Sequence, residues 1–182
     1  MLKGKNVTLR PVKRGDLPYF LEWFNDPEIM QYLNMYLPMT EMAEEKYIEE
    51  LGTTRARTDA AFVIEVVEGD STKPIGTIGL HGIDSKDHCA TFGIAIGNKD
   101  YWNKGYGTEA ARLIINYGFE QLNLHRINSG AVAFNERSIR MHINIGFTEE
   151  GRWRKAMFKN GDYHDHVIFG ILKDEWTKYK RR

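Results

Sequence analysis

The sequence predicts an α+β domain built on one mixed sheet. Three observations carry that expectation. Strand-like alternation and helical periodicity trade places repeatedly along the 182 residues. The middle strands are joined by short, turn-rich connections, which favour antiparallel neighbours. A glycine-punctuated loop, Tyr101-Trp102-Asn103-Lys104-Gly105-Tyr106-Gly107-Thr108-Glu109-Ala110, leads from an apolar strand directly into a strongly helical segment. At 21.1 kDa one domain over residues 1–182 is expected, large enough to bury a core.

Taken in order, Asn6 to Val12 alternates as a strand does, with Val7, Leu9 and Pro11 against Thr8 and Arg10. Asp16 is placed to cap a helix carrying Leu17, Phe20, Leu21 and Phe24, which Asn25-Asp26-Pro27 stops. Thr40 caps a second helix with Ala43, Tyr47, Ile48 and Leu51 on one face, ended by Gly52. Ala61–Val67, Ile75–Leu80 and Ala90–Ile96 then read as strands. They are separated by the turns Glu68-Gly69-Asp70-Ser71-Thr72-Lys73-Pro74 and Asp84-Ser85-Lys86-Asp87. Past the glycine loop, Ala110, Leu113, Ile114 and Tyr117 mark an amphipathic helix. Ile127–Ala133 is a strand, and Asn135–Ile145 a helix closed by Gly146 in the C′ position. Phe147–Phe158 and Tyr163–Leu172 form a hairpin whose Asn160-Gly161 turn fixes its register.

Composition excludes several functions. Lys+Arg 25 balance Asp+Glu 25, which argues against nucleic acid or an anionic membrane as partner. Cys89 stands alone, so neither an internal disulfide nor a thiolate metal cluster is expected, and no metal site is assigned. No apolar run reaches the ~20 residues of a membrane span, and the amino terminus lacks a signal-peptide core. A soluble, cytoplasmic protein is the expectation. The zero net charge hides an asymmetry: residues 26–50 hold seven acidic side chains against one basic, Lys46, while the tail ends Lys178-Tyr179-Lys180-Arg181-Arg182. The acidic stretch is either a solvated helix face or a rim that attracts a cationic substrate.

The glycine loop is a candidate phosphate cradle. The first turn of a helix leaves backbone N–H groups unpaired at the positive end of its dipole, and glycines let a ligand reach them. A Walker A loop is excluded because Lys104 precedes its glycine. Gly105-x-Gly107-x-x-Ala110 fits the dinucleotide fingerprint loosely. It lies, however, after a meander of strands, and the next strand ends at Ala133-Phe134-Asn135 without the carboxylate that fingerprint requires.

The whole set of segments is more specific. Phe92-Gly93-Ile94-Ala95-Ile96-Gly97 followed by Asn103-Lys104-Gly105-Tyr106-Gly107 and a helix resembles the acyl-CoA pyrophosphate loop of the GNAT N-acetyltransferase superfamily. Ala133 to Phe147, with its terminal Gly146-Phe147, resembles that family's later helix. Gly161-Asp162-Tyr163-His164-Asp165 resembles the hairpin of the branch holding ribosomal-protein N-terminal acetyltransferases and spermidine N-acetyltransferases. The resemblance spans about Val7 to Leu172. It implies a mixed sheet of about seven strands with about four helices, and a splay between its fourth and fifth strands. Trp102 departs from the family's Gln or Arg; it either anchors the loop or stacks on the ligand.

The resemblance also implies acetyl-CoA as co-substrate and direct transfer to an amine in a ternary complex. The backbone of Ala95, Ile96 and Gly97 would line the gap that takes pantetheine, and Trp102, Asn103, Lys104, Gly105, Tyr106, Gly107 and Thr108 would hold the pyrophosphate. Asn135 and Ser138 would touch the pantetheine arm, Asn135 also serving as a helix cap. His142 stands where many relatives carry a tyrosine general acid. An imidazolium, with a reference pKa of ~6.5 against ~10 for tyrosine, can fill that role, although a thiol near ~8.5 leaves with little help. Glu65 is a candidate general base, as are acidic residues of 26–50; Asp165 and His81 are weaker candidates, and Glu65 equally fits a solvent-facing strand position. Met30, Met35, Met39 and Met42, interleaved with Tyr32, Leu33, Tyr36 and Leu37, form either an adaptable wall over the acceptor or ordinary core. The acceptor is expected to be a protein N-terminus or a small amine such as a polyamine, aminoglycoside or amino sugar. The apolar final hairpin can support a homodimer. A non-catalytic acyl-CoA-binding module is the alternative that His142 keeps open.

Overall fold

The computed structural model describes residues 1–68 and 71–179. Eight strands, β1 (Leu2–Lys3), β2 (Val7–Pro11), β3 (Ala60–Glu68), β4 (Ser71–Asp84), β5 (Cys89–Ile96), β6 (Arg126–Val132), β7 (Thr148–Lys159) and β8 (Asp162–Leu172), form one sheet. Their order is β1-β2-β3-β4-β5-β6-β8-β7, and every pairing is antiparallel except that of β5 with β6. The helices among the described residues are α1 (Leu17–Phe24), α2 (Pro27–Met30), α3 (Glu41–Leu51), α4 (Tyr106–Glu120), α5 (Glu136–Ile145) and α6 (Lys173–Tyr179).

The mixed sheet is the expected one, with additions too short to show periodicity in the sequence. β1 contributes two residues, pairing Leu2 with Leu9 and Lys3 with Thr8. Asp26-Pro27 ends α1 as expected but also starts α2: the Asp26 carboxylate accepts the Glu28 N–H at 2.8 Å and proline fills the first helical turn. α6 opens the charged tail, whose residues 180–182 lie outside the described residues, as do Gly69 and Asp70 of the first predicted turn. Asp16 sits at the α1 N-cap without capping it. Its carboxylate takes both terminal nitrogens of the buried Arg10, at 2.7 Å each, and the Lys13 N–H at 2.7 Å. An ionised, bidentate partner outcompetes a single backbone donor.

Strand alternation divides the core between two faces. Leu9, Ile64, Ile78, Leu80 and Phe92 point to one side, where they pack with Ile114, Ile115 and Phe119 of α4 and Ile145 of α5. Val63, one residue before Ile64, points to the other and packs with Phe20, Trp23 and Ile29. At roughly 25 cal/mol per Å² of buried apolar surface, the larger cluster is the main stabilising element.

One interruption of the sheet matters for function. β5 pairs with β6 only through Cys89↔Arg126, Ala90↔Ile127 and Thr91↔Asn128. Beyond Thr91 and Asn128 the two strands separate, while β5 stays paired with β4 as far as Ile96 and β6 stays paired with β8. This is the splay expected between the fourth and fifth strands of a seven-strand count, displaced by one in label because β1 precedes them.

Candidate active site

The splay opens into a cavity of about 780 Å³, bounded by β5, β6, the glycine loop and α5. Strand backbones present N–H and C=O of the same residue to one side. The Ser129 hydroxyl lies 3.1 Å from the Phe92 carbonyl, so Phe92 faces β6. By alternation Ile94 and Ile96 face the same open edge. The Ile96 carbonyl is taken by the Trp102 indole N–H at 2.7 Å, which leaves Ile94 and the Ile96 N–H as polar edge groups facing the gap. Ala95 and Ile96 line the cavity, whereas Gly97 is buried beneath Trp23, whose ring lies where a Cβ would stand.

The loop begins with backbone in the left-handed region, Asn103 at φ 60° and Gly105 at φ 84°. The first helical bond of α4 runs from Glu109 N–H to the Gly105 carbonyl at 3.0 Å, so the N–H groups of Tyr106, Gly107 and Thr108 have no helical acceptor. Trp102, Asn103, Gly105, Gly107 and Thr108 line the cavity. A Cβ on Gly107 would meet only ordinary contacts, Ile96 Cγ1 at 3.5 Å among them. Packing alone therefore does not demand glycine there, and the bare backbone stays open to the cavity. Lys104 and Tyr106 turn away onto Tyr101: the ammonium lies 5.6 Å from its ring centroid, and the Tyr106 ring 5.8 Å from it. Trp102 also carries the Arg137 guanidinium 4.1 Å above its ring, and Tyr32 flanks the same guanidinium at 5.2 Å. These contacts bridge α5, the loop and the chain after α2.

On the α5 side Asn135 caps the helix, accepting the Ser138 N–H at 3.2 Å, and both residues line the cavity. His142, one turn on, is 2% exposed and packed among Phe92, Phe147 and Phe169, the last stacked at 4.6 Å. Its Nδ1 lies 2.7 Å from the Ser138 carbonyl, which can only accept, so Nδ1 carries the proton. Nε2, 2.8 Å from Ser129 Oγ, then accepts from that hydroxyl. Burial lowers the His142 pKa to about 4 against a smaller opposing effect of the Ser138 carbonyl, so the ring is neutral at pH 7. The acid role expected of it called for an imidazolium.

The expected bases are placed differently from one another. Glu65 lies on β3 with its carboxylate 2.6 Å from Arg10 Nε, and it does not line the cavity. Asp165 accepts the Lys155 N–H at 3.0 Å. His81 lines the cavity and has Nδ1 3.2 Å from Asp59 Oδ2. Within 26–50, Asp26 and Glu28 hold Lys99 at 2.9 and 2.8 Å, and Glu44 is buried, which raises its pKa. Glu41, Glu45 and Glu49 are exposed on α3.

The wall over the cavity comes from Ile29, Tyr32, Leu33 and Asn34 rather than from methionine side chains. Tyr36, Leu37 and Met42 are exposed. The β7–β8 hairpin tip holds this wall: Lys159 Nζ donates to the Met30 and Met35 carbonyls at 3.1 and 2.7 Å, and the Asn160 amide donates to Gln31 Oε1 at 3.2 Å. Sequence reading missed Ser129 and Asp59. Ser129 follows from the strand register, but nothing in the local sequence marks Asp59, which sits immediately before β3 and reaches His81.

A cleft between splayed parallel strands, with an anion-ready helix terminus at one end, defines an acyl-CoA-dependent acyltransferase. Residues 6–148 match the family model of the acetyltransferase (GNAT) domain, and the chain belongs to that family. The Escherichia coli (strain K12) spermidine N(1)-acetyltransferase is 30% identical over 180 residues, covering 97% of this chain and 91% of its own. A Bacillus subtilis (strain 168) protein provisionally named a ribosomal N-acetyltransferase, YdaF, is 41% identical over 105 residues, 58% of this chain and 57% of its own. The crystal structure of Vibrio cholerae spermidine N-acetyltransferase in complex with CoA and spermine superposes with a TM-score of 0.87 at 26% identity, covering 96% of this chain and 99% of that one.

Proposed function

We propose that the protein transfers the acetyl group of acetyl-CoA to a primary amine of a small polycation of the polyamine type. The observation that carries the reading is the gap between β5 and β6, open at Ile94 and Ile96 and continuous with the free N–H groups of Tyr106, Gly107 and Thr108. Acetyl-CoA supplies the thioester carbonyl, and this chain supplies its surroundings. The α4 terminus and the Gly107 backbone hold the pyrophosphate, with Trp102 and Asn103 shaping the loop and Lys104 adding positive charge. The exposed edge of β5 and the polar groups of Asn135 and Ser138 fix the pantetheine arm. A backbone N–H of the β5 edge polarises the thioester carbonyl.

In this reading His142 is a positioning residue on the donor side. Its neutral ring takes the Ser129 O–H and so fixes that side of the gap beside the donor; the departing sulfur, a thiol with a reference pKa of ~8.5, needs no proton from either. Glu65 holds Arg10 and with it the β2–β3 edge. The polyamine acceptor is supported by the named substrates of the relatives above. A protein N-terminus is the second reading, favoured by the similarity to YdaF. Thiol release measured with spermidine, spermine and peptides bearing free N-termini tests both. Turnover of polyamines alone supports the first, turnover of peptides alone the second, and no turnover of any amine defeats both.

The reading includes one domain over the whole chain and a cytoplasmic location, for which the single cysteine speaks. It also includes a homodimer joined along β7, an edge strand that exposes Trp153 and Phe158. Light scattering that gives a monomer mass would remove the dimer.

A further inference from the structure

We propose that His81, oriented by Asp59, is the general base that deprotonates the acceptor ammonium, an assignment that rests on the amine N-acetyltransferase reading above. His81 lies on β4 opposite Thr91, and Thr91 lies opposite Asn128, the last rung before β5 and β6 separate. The ring therefore sits level with the apex of the gap. It is on the face of Gly79, Gly93 and Val63, opposite the face that carries His142, and its side chain is 39% exposed into the cavity. An amine entering from this face meets the thioester carbonyl from the side away from α5.

Three local features aim the ring. Asp59, its side chain 4% exposed, takes the Nδ1 proton of His81, which leaves Nε2 as an acceptor without a hydrogen-bond partner among the described residues. The β4–β5 register breaks between His81 and Asp84, where Gly82 has φ 59°. There the Gly82 N–H binds Asp59 Oδ1 at 3.2 Å and the Ile83 N–H binds the Thr58 carbonyl at 2.7 Å. A bulge of this kind re-aims a side chain. Finally, a Cβ on Gly79 would come within 2.5 Å of His81 Nε2, so the ring lies flat where the strand carries no side chain.

The ionisable groups facing His81 are Asp59 and, behind it, Arg55, which binds Asp59 at 3.1 Å; Thr91 and Asn128 on the neighbouring strands do not titrate. Burial works to raise the Asp59 pKa, yet the bonds from Gly82, His81 and Arg55 hold it below its usual value, so Asp59 stays ionised. His166 lies across the gap over Gly130, but it has no carboxylate to fix its tautomer among the described residues, and burial lowers its pKa.

The step balances as follows. One proton of the ammonium passes to Nε2, and the freed lone pair forms the N–C bond to the acetyl carbonyl carbon. The C–S bond breaks with its electron pair on sulfur, the nitrogen's next proton goes to that thiolate, and Nε2 returns its proton to water. Ammonium plus thioester gives amide, thiol and one proton.

The test is steady-state thiol release from pH 6 to 9 with acetyl-CoA and an amine that the wild type acetylates. His81→Ala is expected to lower kcat/KM for the amine about 10²- to 10³-fold with acetyl-CoA affinity unchanged. Its activity should rise with pH throughout as free amine accumulates, and added imidazole should restore part of it. Asp59→Asn, a change in a positioning residue, is expected to lower kcat about tenfold with little change in KM. His81→Gln, which keeps polar contact with Asp59, repeats the test if the alanine variant does not fold. Wild-type kcat/KM and an unchanged pH profile in a folded His81 variant overturn the assignment. A wild-type protein that binds acetyl-CoA but acetylates no amine overturns the reading beneath it, and the base with it.

Discussion

The two faces of the sheet at the gap are built on opposite principles. On the α4–α5 face, His142 is buried against three aromatic rings and its Nδ1 bonds the Ser138 carbonyl. On the other, His81 is partly exposed and bonded to an ionised carboxylate. The first environment withholds charge from an imidazole; the second leaves a ring nitrogen open to the cavity. The sheet thus separates a dry environment around His142 from a more open one around His81, the face from which the proposed mechanism brings the amine. The same residue type is packed as core on one face and left within reach of the cavity on the other.

The contrast can be broken from either side. The largest effect is expected from Gly107→Glu, which places a carboxylate at the phosphate position; acetyl-CoA affinity should fall on the order of 100-fold or more by calorimetry, and unchanged affinity would sink the loop's assignment. Next is the pH dependence of stability. The folded-state pKa of His142 lies below its ordinary 6.5, at about 4, so the unfolded chain binds the extra proton first. Its contribution is present above pH 6.5 and is lost as pH falls towards about 4, a change of about 3 kcal/mol. Urea unfolding of His142→Phe should show a flatter stability profile over that window than wild type.

Trp102→Ala removes both the bond to the Ile96 carbonyl and the ring beneath Arg137. Acetyl-CoA should bind about tenfold more weakly, while KM for the amine stays unchanged. The smallest effect is expected at the acceptor wall. Lys159→Met frees the Met30 and Met35 carbonyls and should raise the amine KM about threefold without touching acetyl-CoA binding. A change in acetyl-CoA affinity in that variant would show that the two faces are not independent.

The glycine loop and the α5 cap were legible in sequence because their information is local. Gly105, Gly107 and the helix they open are contiguous, and Asn135 announces a cap three residues from the Ser138 N–H it binds. The His81–Asp59 pair is assembled across strands. Asp59 meets His81 over a separation of 22 residues, through a bulge that no periodicity reports. Glu65 looked available because alternation gives a side chain's face but not its partner, and Arg10 reaches it from the neighbouring strand. Trp102 read as an odd replacement in a family pattern; the structure shows an indole closing the carbonyl of Ile96. β1 and α2 escaped notice for a simpler reason, having too few residues to display a period.

The Lys159 ammonium links the hairpin tip to the segment that roofs the acceptor, two stretches more than a hundred residues apart in the chain. Burial lowers its pKa, and the link it makes is to the two backbone oxygens. A tip held in that way ties the position of the chain after α2 to the length and register of the β7–β8 turn. If that segment covers the amine as proposed, the length of a single turn becomes a lever on substrate choice.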